Sequence, residues 1–348
     1  MTLLIMKENK MIRRNLSIPV ATVFLAVSLS TGRAPGAAAA TPTPLTMSYS
    51  QKTIDFLPVW IASDAGYFKQ QGLDVTVRYL PAQEGIPAII SGQEQIVGIG
   101  GADGASADAR GANVKLVLTL TPIYFFQLWA HPQYASAAKL KGQRIGITST
   151  TGSLYAATLL TLKQLGLKPQ DVVLTPLGGV VNVNSSLLAG SIAAALSHPP
   201  ASYKFKKAGL VDLVDMTKDH IPSVNAGVWV TESYIKAHRD VVQRVVNAIS
   251  AALKREKSDR PFAEAEMTKF LGIKDKGELD FSYDFYVKEV LGPEPIPEAA
   301  QLQSNIDALA PSNPKVKGLD PNKILDQSFA KAAAKQSAAT AAPKATAH

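Results

Sequence analysis

Short runs of β-forming residues alternate with helical stretches, and this alternation constrains the fold more than any other feature of the sequence. The strand-like runs lie at residues 45–50, 73–80, 95–99 and 114–120, and the order begins again at 144–148, 172–176, 192–196, 210–214 and 224–230. Glycines such as Gly72 and Gly166 end the intervening helices. A strand-helix-strand order favours a parallel sheet covered by helices. The sequence therefore predicts an α/β fold with two such units, of which the second is smaller.

The C-terminal part is almost entirely helical in pattern, from Tyr234 to Phe329. One long amphipathic helix is marked by the apolar positions Val241, Val242, Val245, Val246, Ile249 and Leu253. Such a block cannot bury its apolar stripe alone, so we expect it to pack on one of the sheets. The predicted architecture is two lobes joined by a two-strand hinge, with crossings near residues 128–131 and 226–230. Ligands of such sheets bind at the carboxyl ends of the strands, which predicts a site in the cleft between the lobes.

Residues 1–40 have the pattern of an export signal. Lys10, Arg13 and Arg14 precede an apolar run of about 15 residues, which is short of the ~20 needed to span a bilayer. A small-residue region follows, and Ala38 and Ala40 occupy the two positions that cleavage after Ala40 requires. We therefore expect a periplasmic protein with a cleaved leader, although a retained membrane anchor stays an alternative.

The net charge of +8 lies mostly at the two ends of the chain. Residues 41–330 carry 28 basic and 27 acidic side chains, so the body is nearly neutral. A basic nucleic-acid-binding face loses its main support, and we expect no nucleic-acid partner. Residues 331–348 are rich in Ala, Lys, Ser and Thr. We expect them to form a disordered tail, with extension of the preceding helix into this segment as the alternative for part of it.

The sequence also argues against several kinds of chemistry. It contains no Cys, which excludes disulfides, Cys-ligated metals and cysteine nucleophiles. The five His residues have no metal-ligand spacing, and neither a Gly-x-Ser-x-Gly elbow nor a phosphate-binding Gly-Lys-Ser/Thr loop is present. We therefore expect no metal, no cofactor and no enzymatic activity.

Five motifs in order resemble those of a family of periplasmic binding proteins of ABC importers. The family takes up nitrate, taurine and alkanesulfonates and includes binders of the pyrimidine precursor of thiamine. The motifs are LPVWIASDAGYFKQQGLDV at residues 57–75, SGQEQ at 91–95, LKGQRIGI at 140–147, TGS at 151–153 and LAGSIAA at 188–194. The chain departs from the family pattern at Ala193, where an acidic residue is usual. An enzymatic branch that shares this fold needs a cysteine cluster, which this chain lacks.

This resemblance implies a type II periplasmic-binding-protein fold of the Venus-flytrap kind. Lobe 1 would comprise residues 45–128 and 228–330, and lobe 2 residues 131–225. The implied function is capture of a small polar solute or anion of the sulfonate, taurine or nitrate type by hinge closure, by a monomer that delivers it to a membrane permease. The alternatives are a planar heterocycle such as a thiamine pyrimidine precursor, a ligand sensor without a transporter, and an exported enzyme.

Two glycine-containing turns are candidate ligand contacts. Thr150, Thr151, Gly152 and Ser153 lie between a strand and a helix, where hydroxyls and free N–H groups favour anionic or strongly polar groups; N-capping is the alternative. Gly101, Ala102 and Asp103 follow a strand of the first series. If Asp103 faces the cleft rather than capping its helix, it favours an amine or ring N–H donor and disfavours an anion.

The remaining candidates are aromatic or amide side chains and one histidine. Phe56, Trp60 and Tyr124 are candidates near turns, and we expect Trp60 and Tyr124 to stack on a planar ligand if they do not pack in the core. Asn182 begins a helix and can bind ligand or cap it. His198 follows a strand end and is expected to point towards the cleft, although a lone histidine is often structural.

Overall fold

A computed structural model describes residues 41–341 and contains two five-stranded mixed sheets. The predicted leader lies outside the described residues, as do residues 342–348. Each sheet has parallel strands on one side and antiparallel strands on the other. The predicted α/β class is thereby confirmed.

The first sheet has the strand order β2-β1-β3-β10-β4. Its strands are β1 Thr43–Tyr49, β2 Leu73–Tyr79, β3 Ile96–Ile99, β4 Val114–Ile123 and β10 Pro222–Thr231. Strand β10 runs antiparallel to both β3 and β4. A late segment of the chain therefore returns to complete the sheet that the early segment begins.

The second sheet has the order β7-β6-β8-β5-β9. Its strands are β5 Gln127–Ala130, β6 Arg144–Ile147, β7 Val173–Pro176, β8 Ala194–Ser197 and β9 Val211–Asp215. Strands β6, β7 and β8 are parallel, and β5 is antiparallel to β8 and β9.

Fourteen α-helices are present among residues 41–341. Between the strands lie α1 Leu57–Asp64, α2 Tyr67–Gln70, α3 Ala82–Ile90, α4 Gly101–Asp108, α5 Ala137–Leu140, α6 Gly152–Gln164, α7 Val180–Leu188 and α8 Ala201–Lys207. After β10 come α9 Glu232–Ala237, α10 Arg239–Ser258, α11 Arg260–Leu271, α12 Lys276–Asp284, α13 Ala299–Leu309 and α14 Ser328–Ala341. A π-helical turn, Phe285–Val290, follows α12. In this part of the chain, no helix combines the length and the apolar character that crossing a membrane requires.

The two sheets are linked by residues 124–126 and by residues 216–221. The crossings predicted near 128–131 and 226–230 are therefore misplaced, because most of those residues lie within β5 and β10. Strand β5 is short and continues an aromatic run, so no change of pattern marks where it begins. The assignment of segments to two separate lobes stays a prediction.

The helical C-terminal block packs mainly on the first sheet, as expected. One core joins this sheet to α1 and to the apolar face of α10, which includes Val242, Val245 and Ile249. A second core lies on the other side of the first sheet and continues to the second, from Trp229 on β10 to Ile145 and Leu196. The two sheets therefore share one hydrophobic core.

The expected disorder of residues 331–348 is wrong for the part that the structure describes. Helix α14 runs to Ala341, and the Asp326 carboxylate accepts a hydrogen bond from the Ser328 N–H at 3.0 Å at its start. Phe329, Ala330 and Ala333 are buried in the first core. The predicted boundary at 331 divided this apolar stripe, so neither half looked amphipathic.

Glu256 on α10 is a buried acid far along the helical block. It is fully buried, and both carboxylate oxygens lack a hydrogen-bond partner among the described residues. Burial raises its pKa well above the ordinary value, and Lys257 opposes this shift weakly. The folded protein therefore holds Glu256 in its neutral form at a pH where the unfolded chain ionises it.

We expect Glu256→Gln to stabilise the protein increasingly as pH rises. A pKa raised by folding means that wild-type stability is complete below the unfolded pKa and falls as pH rises through the folded pKa. The difference in free energy of unfolding should therefore grow by about 1.4 kcal/mol per pH unit above ~4.5 until the folded pKa is reached. Urea unfolding at several pH values measures it. The exposed Glu289→Gln serves as control, and an equally pH-independent difference for both variants would contradict the assignment.

Candidate functional site

A cavity of about 70 Å³ lies where loops from the two sheets meet. Loops after β1, β2 and β3 contribute Ser50, Gln51, Thr53, Asp55, Phe56, Pro81, Ala82, Gln83, Gly100 and Asp103. Loops after β6, β7 and β8 contribute Thr148, Ser149, Thr151, Gly152, Ser153, Leu154, Gly178, Val180 and His198, while Phe126 and Asn225 complete the lining. Both sheets thus present the carboxyl ends of parallel strands to one cavity, which is where α/β proteins bind ligands.

Asp55 lies in the loop after β1 and is 5% exposed. Its Oδ2 accepts a hydrogen bond from the Asn225 amide at 3.2 Å, which joins this loop to β10. Burial raises the pKa of Asp55, and nearby His198 opposes the rise. A buried carboxyl group in a cavity can accept hydrogen bonds from a ligand at little further cost, because it is already desolvated.

Two acceptor oxygens at this point make no hydrogen bond of good geometry among the described residues. They are Oδ1 of Asp55 and Oδ1 of Asn225, and both side chains are more than nine-tenths buried. Leaving a buried acceptor unpaired costs about 1–3 kcal/mol, so native proteins seldom do it without a partner such as a ligand or water. The pair is suited to receive two hydrogen-bond donors.

His198 follows β8 and is held by contacts on several sides. Its Nδ1 lies 2.6 Å from the Pro199 carbonyl oxygen, and its ring lies against Phe125 and Phe126 at 4.5 and 5.7 Å. A carbonyl oxygen only accepts, so Nδ1 carries the proton. Burial lowers the pKa of His198, against the influence of Asp55. The neutral ring then leaves Nε2 as a further acceptor.

Asp103 lies in the first turn of α4 and is 8% exposed. It is not the N-cap, which is Gly100, and its carboxyl group stands against Gly152 at the start of α6. Burial raises its pKa to about 7, while a hydrogen bond from Thr151 and the charge of Arg110 lower it. Of the two roles left open by the sequence, the structure supports the one in which Asp103 faces the cavity.

The start of α6 lies close to the start of α4 and to β10. The Ser153 hydroxyl at the start of α6 donates to the Asn225 backbone oxygen on β10 at 3.2 Å. A Cβ on Gly100 would lie 2.1 Å from the Ser153 Oγ, so only glycine allows this approach. The helix that follows β6 of the second sheet is thereby connected to β10 of the first sheet.

The electrostatics of the lining are one-sided. Two carboxyl groups, Asp55 and Asp103, face the cavity, and no Lys or Arg is among the lining residues of the described chain. The one basic side chain there, His198, is favoured in its neutral form. In the same part of the chain, no three His, Asp or Glu residues are grouped to hold a metal ion. The cavity is therefore rich in acceptors and poor in positive charge.

Six of the predicted site residues line this cavity: Phe56, Asp103, Thr151, Gly152, Ser153 and His198. They share one property, since each lies within a few residues of the carboxyl end of a strand. No ligand is present, so their contact with one stays a prediction.

The other six do not line it. Trp60 is buried in the first core, where its ring stacks on Phe270 at 5.1 Å, and Tyr124 is buried with its hydroxyl accepting from Asn305 at 2.7 Å. These two are therefore not the ligand-stacking residues that the sequence predicted, because their rings are enclosed by other side chains. Of the remaining four, Gly101 and Ala102 are buried in the first turn of α4, and Thr150 is exposed. The Asn182 amide donates a hydrogen bond to the Leu177 oxygen at 2.8 Å.

Three of the lining residues that the sequence did not predict matter most for the chemistry of the cavity: Asp55, Phe126 and Asn225. Asp55 carried a signal, since it is an acid in a loop directly after a predicted strand. Asn225 is a polar residue within the apolar run of β10, which is unusual for a buried strand. Phe126 was part of an aromatic cluster in which the sequence alone cannot tell ligand contacts from core.

Comparison with known families and proteins gives matches at three levels. Residues 53–258 match the family described as NMT1/THI5 like. The chain is 27% identical over 252 residues to the riboflavin-binding protein RibY of Chloroflexus aurantiacus, covering 67% of this chain and 70% of that protein.

Solved structures show the same fold. One from Bordetella bronchiseptica RB50 has a TM-score of 0.73 at 22% identity and covers 86% of this chain and 99% of its own. The periplasmic aliphatic sulphonate binding protein SsuA of Escherichia coli has a TM-score of 0.66 at 19% identity, covering 82% and 92%. The predicted periplasmic-binding-protein fold is thereby confirmed.

Proposed function

The chain belongs to the NMT1/THI5-like family, and from that premise we propose that it is a periplasmic solute-binding protein of an ABC importer. It captures a small solute in the cavity between its two sheets and presents it to a membrane permease. The leader-like pattern of residues 1–40 supports export, and the similarity in fold to SsuA supports the transport class.

The observation that carries the proposal is the pair of unpartnered acceptors, Asp55 Oδ1 and Asn225 Oδ1, in a cavity formed by loops from both sheets. An enclosed, partly apolar pocket with a few convergent polar groups is the usual form of a small-molecule site. Its position between two sheets joined by two short links suits closure around a ligand by a hinge.

For the ligand we propose a planar nitrogen heterocycle with N–H donors. The carboxyl groups of Asp55 and Asp103 and the amide oxygen of Asn225 match ring N–H or amino groups. Phe56 and Phe126 line the same cavity with aromatic surface. The relative RibY is named for binding riboflavin, whose ring system carries one N–H donor between two carbonyl groups. An aminopyrimidine such as a thiamine precursor meets the same requirements with a single ring.

Sulfonate, taurine and nitrate ligands are the alternative within the transport class. The similarity to SsuA favours them, but the cavity lining offers an anion two carboxyl groups and no Lys or Arg. An enzymatic role has less support, because the sequence contains no cysteine and, within residues 41–341, no serine hydroxyl is bonded to His198. A ligand sensor without a permease would use the same cavity.

A thermal-shift panel tests the ligand class. The mature chain is heated with riboflavin, aminopyrimidines, alkanesulfonates, taurine and nitrate at equal concentrations. A ligand at 100 times its dissociation constant adds about 2.7 kcal/mol of stability, which raises the melting temperature by several degrees. We expect heterocycles to raise it and simple anions to leave it unchanged. Stabilisation by an alkanesulfonate alone would contradict the proposed ligand class, and turnover of a stabilising compound would contradict the binding role.

A further inference from the structure

The start of α6 has the properties of an anion-binding site. Helix α6 is 13 residues long, its N-cap Thr151 makes no side-chain capping bond, and Gly152 has a φ of 85°. The N–H groups of a first helical turn have no partner within the helix, and the helix dipole favours negative charge there. Thr151, Gly152 and Ser153 all line the cavity.

That position already contains an acid of the protein itself. A Cβ built on Gly152 would lie 3.0 Å from Asp103 Oδ2 and 3.5 Å from Oδ1, so the carboxyl group packs directly against the helix start. Thr151 donates a hydrogen bond to it. Asp103 is also in the first turn of α4, so its carboxyl group lies between the N-terminal ends of two helices.

The rest of the cavity lining offers an entering anion hydroxyl and amide groups, but no Lys or Arg among the described residues. The lining also includes the Oδ1 atoms of Asp55 and Asn225, which repel another acceptor. Like charges brought together in a buried site discriminate strongly between ligands, and a residue can determine specificity by repulsion alone.

We propose that Asp103 is the specificity-determining residue of this site, because its carboxyl group lies at the start of α6 where a ligand anion would otherwise bind, and so excludes sulfonates and similar anions. The inference rests on the proposed solute-binding function. It explains how a chain with the fold of a sulfonate-binding protein selects neutral or cationic solutes. Replacing this one side chain should then open an anion site that the fold already provides.

The test compares wild type with Asp103→Asn and Asp103→Ser, using ethanesulfonate and riboflavin as probes at pH 8. At that pH, above the Asp103 pKa of about 7, the wild-type carboxyl group is mostly ionised. Isothermal titration calorimetry should show at least a tenfold gain in ethanesulfonate affinity for both variants. Asp108→Asn, at the far end of the same helix and outside the cavity lining, is the matched control and should show no gain.

The outcomes separate this inference from the proposed function. If wild type binds the heterocycle but neither folded variant gains ethanesulfonate affinity, Asp103 does not exclude anions and the inference fails alone. Wild-type binding of ethanesulfonate as tight as that of the variants also overturns it. Riboflavin, aminopyrimidines and ethanesulfonate all failing to bind any of these proteins would instead count against the proposed function. Melting curves establish that each variant is folded, and two different replacements guard against one that disturbs α4.

Discussion

Replacing Asp55 by alanine is expected to lower the affinity for the bound heterocycle by about 30-fold to several thousand-fold. Removing one member of a buried, charge-assisted hydrogen bond costs about 2–5 kcal/mol, and each 1.4 kcal/mol is a factor of ten. Asp55 is the acid whose Oδ1 is free for a donor, and its Oδ2 also holds Asn225 in place. The substitution therefore removes one proposed ligand contact directly and releases Asn225, the second. Calorimetric titration with riboflavin or the best compound of the thermal panel measures the loss.

One control and one further variant make the Asp55 result specific. Asp74→Ala removes an exposed acid on β2 that lies outside the cavity lining, and it should leave the affinity unchanged. Asn225→Ala should reduce affinity as well, because it deletes the other free acceptor. Unchanged binding by a folded Asp55→Ala protein would show that the ligand binds elsewhere.

Replacing Trp229 by alanine is expected to lower the free energy of unfolding by about 3–5 kcal/mol, as large-to-small changes of buried aromatic residues do. The Trp229 ring is fully buried on β10, and its N–H donates to the Ile99 oxygen on β3 at 3.2 Å. A Cβ on Gly104 would lie 2.3 Å from this ring, so α4 rests directly on it. The ring therefore also supports the helix that carries Asp103. Urea denaturation of wild type and variant measures the loss.

A graded series tests whether the buried volume of Trp229 and its contact with α4 account for the loss of stability. Trp229→Phe keeps most of the apolar volume and should lose less stability than Trp229→Ala. Gly104→Ala should destabilise wild type, because the new methyl group collides with the ring, and should cost less in the Trp229→Ala background. If Gly104→Ala lowers the free energy of unfolding equally in both backgrounds, the new methyl group does not collide with the Trp229 ring.

Most of the fold could be predicted from the sequence, because hydrophobic patterning and glycine punctuation are local signals. The strands expected from residue 45 to residue 230 are present within a few residues of their predicted bounds. Strand β5 was missed because Gln127–Ala130 is short and buried on both sides, and it continues an aromatic run without a break. Disorder was expected beyond residue 331 because the apolar stripe of the helix from Ser328 is completed by residues on both sides of that assumed boundary.

Only half of the predicted site residues line the cavity, because the direction of a side chain depends on the three-dimensional fold. Residues that follow strands, such as Asp103, Thr151 and His198, could be found because α/β topology brings strand ends together. Trp60 and Tyr124 occupy similar sequence positions, but their side chains turn into the core. Asn225 reaches the cavity only because β10 returns from late in the chain to lie beside β3. Sequence order does not contain that pairing.

The sequence indicates that Asp103 disfavours an anionic ligand if it faces the cleft, and the structure shows where its carboxyl group lies. The residue does not cap its own helix, and its carboxyl group lies against the start of α6 inside the cavity. Together with Asp55 it gives the cavity an acidic lining without Lys or Arg among the described residues. We therefore expect this cavity to favour neutral or cationic ligands over anions.

The most direct measurement is native mass spectrometry of the protein isolated from the periplasmic fraction of cells that produce it. We expect one bound small molecule per chain, with the mass and absorbance of a nitrogen heterocycle, released when the protein is denatured and absent from Asp55→Ala. A bound alkanesulfonate, taurine or nitrate retained equally by Asp55→Ala would contradict both the assigned cavity and the assigned ligand class.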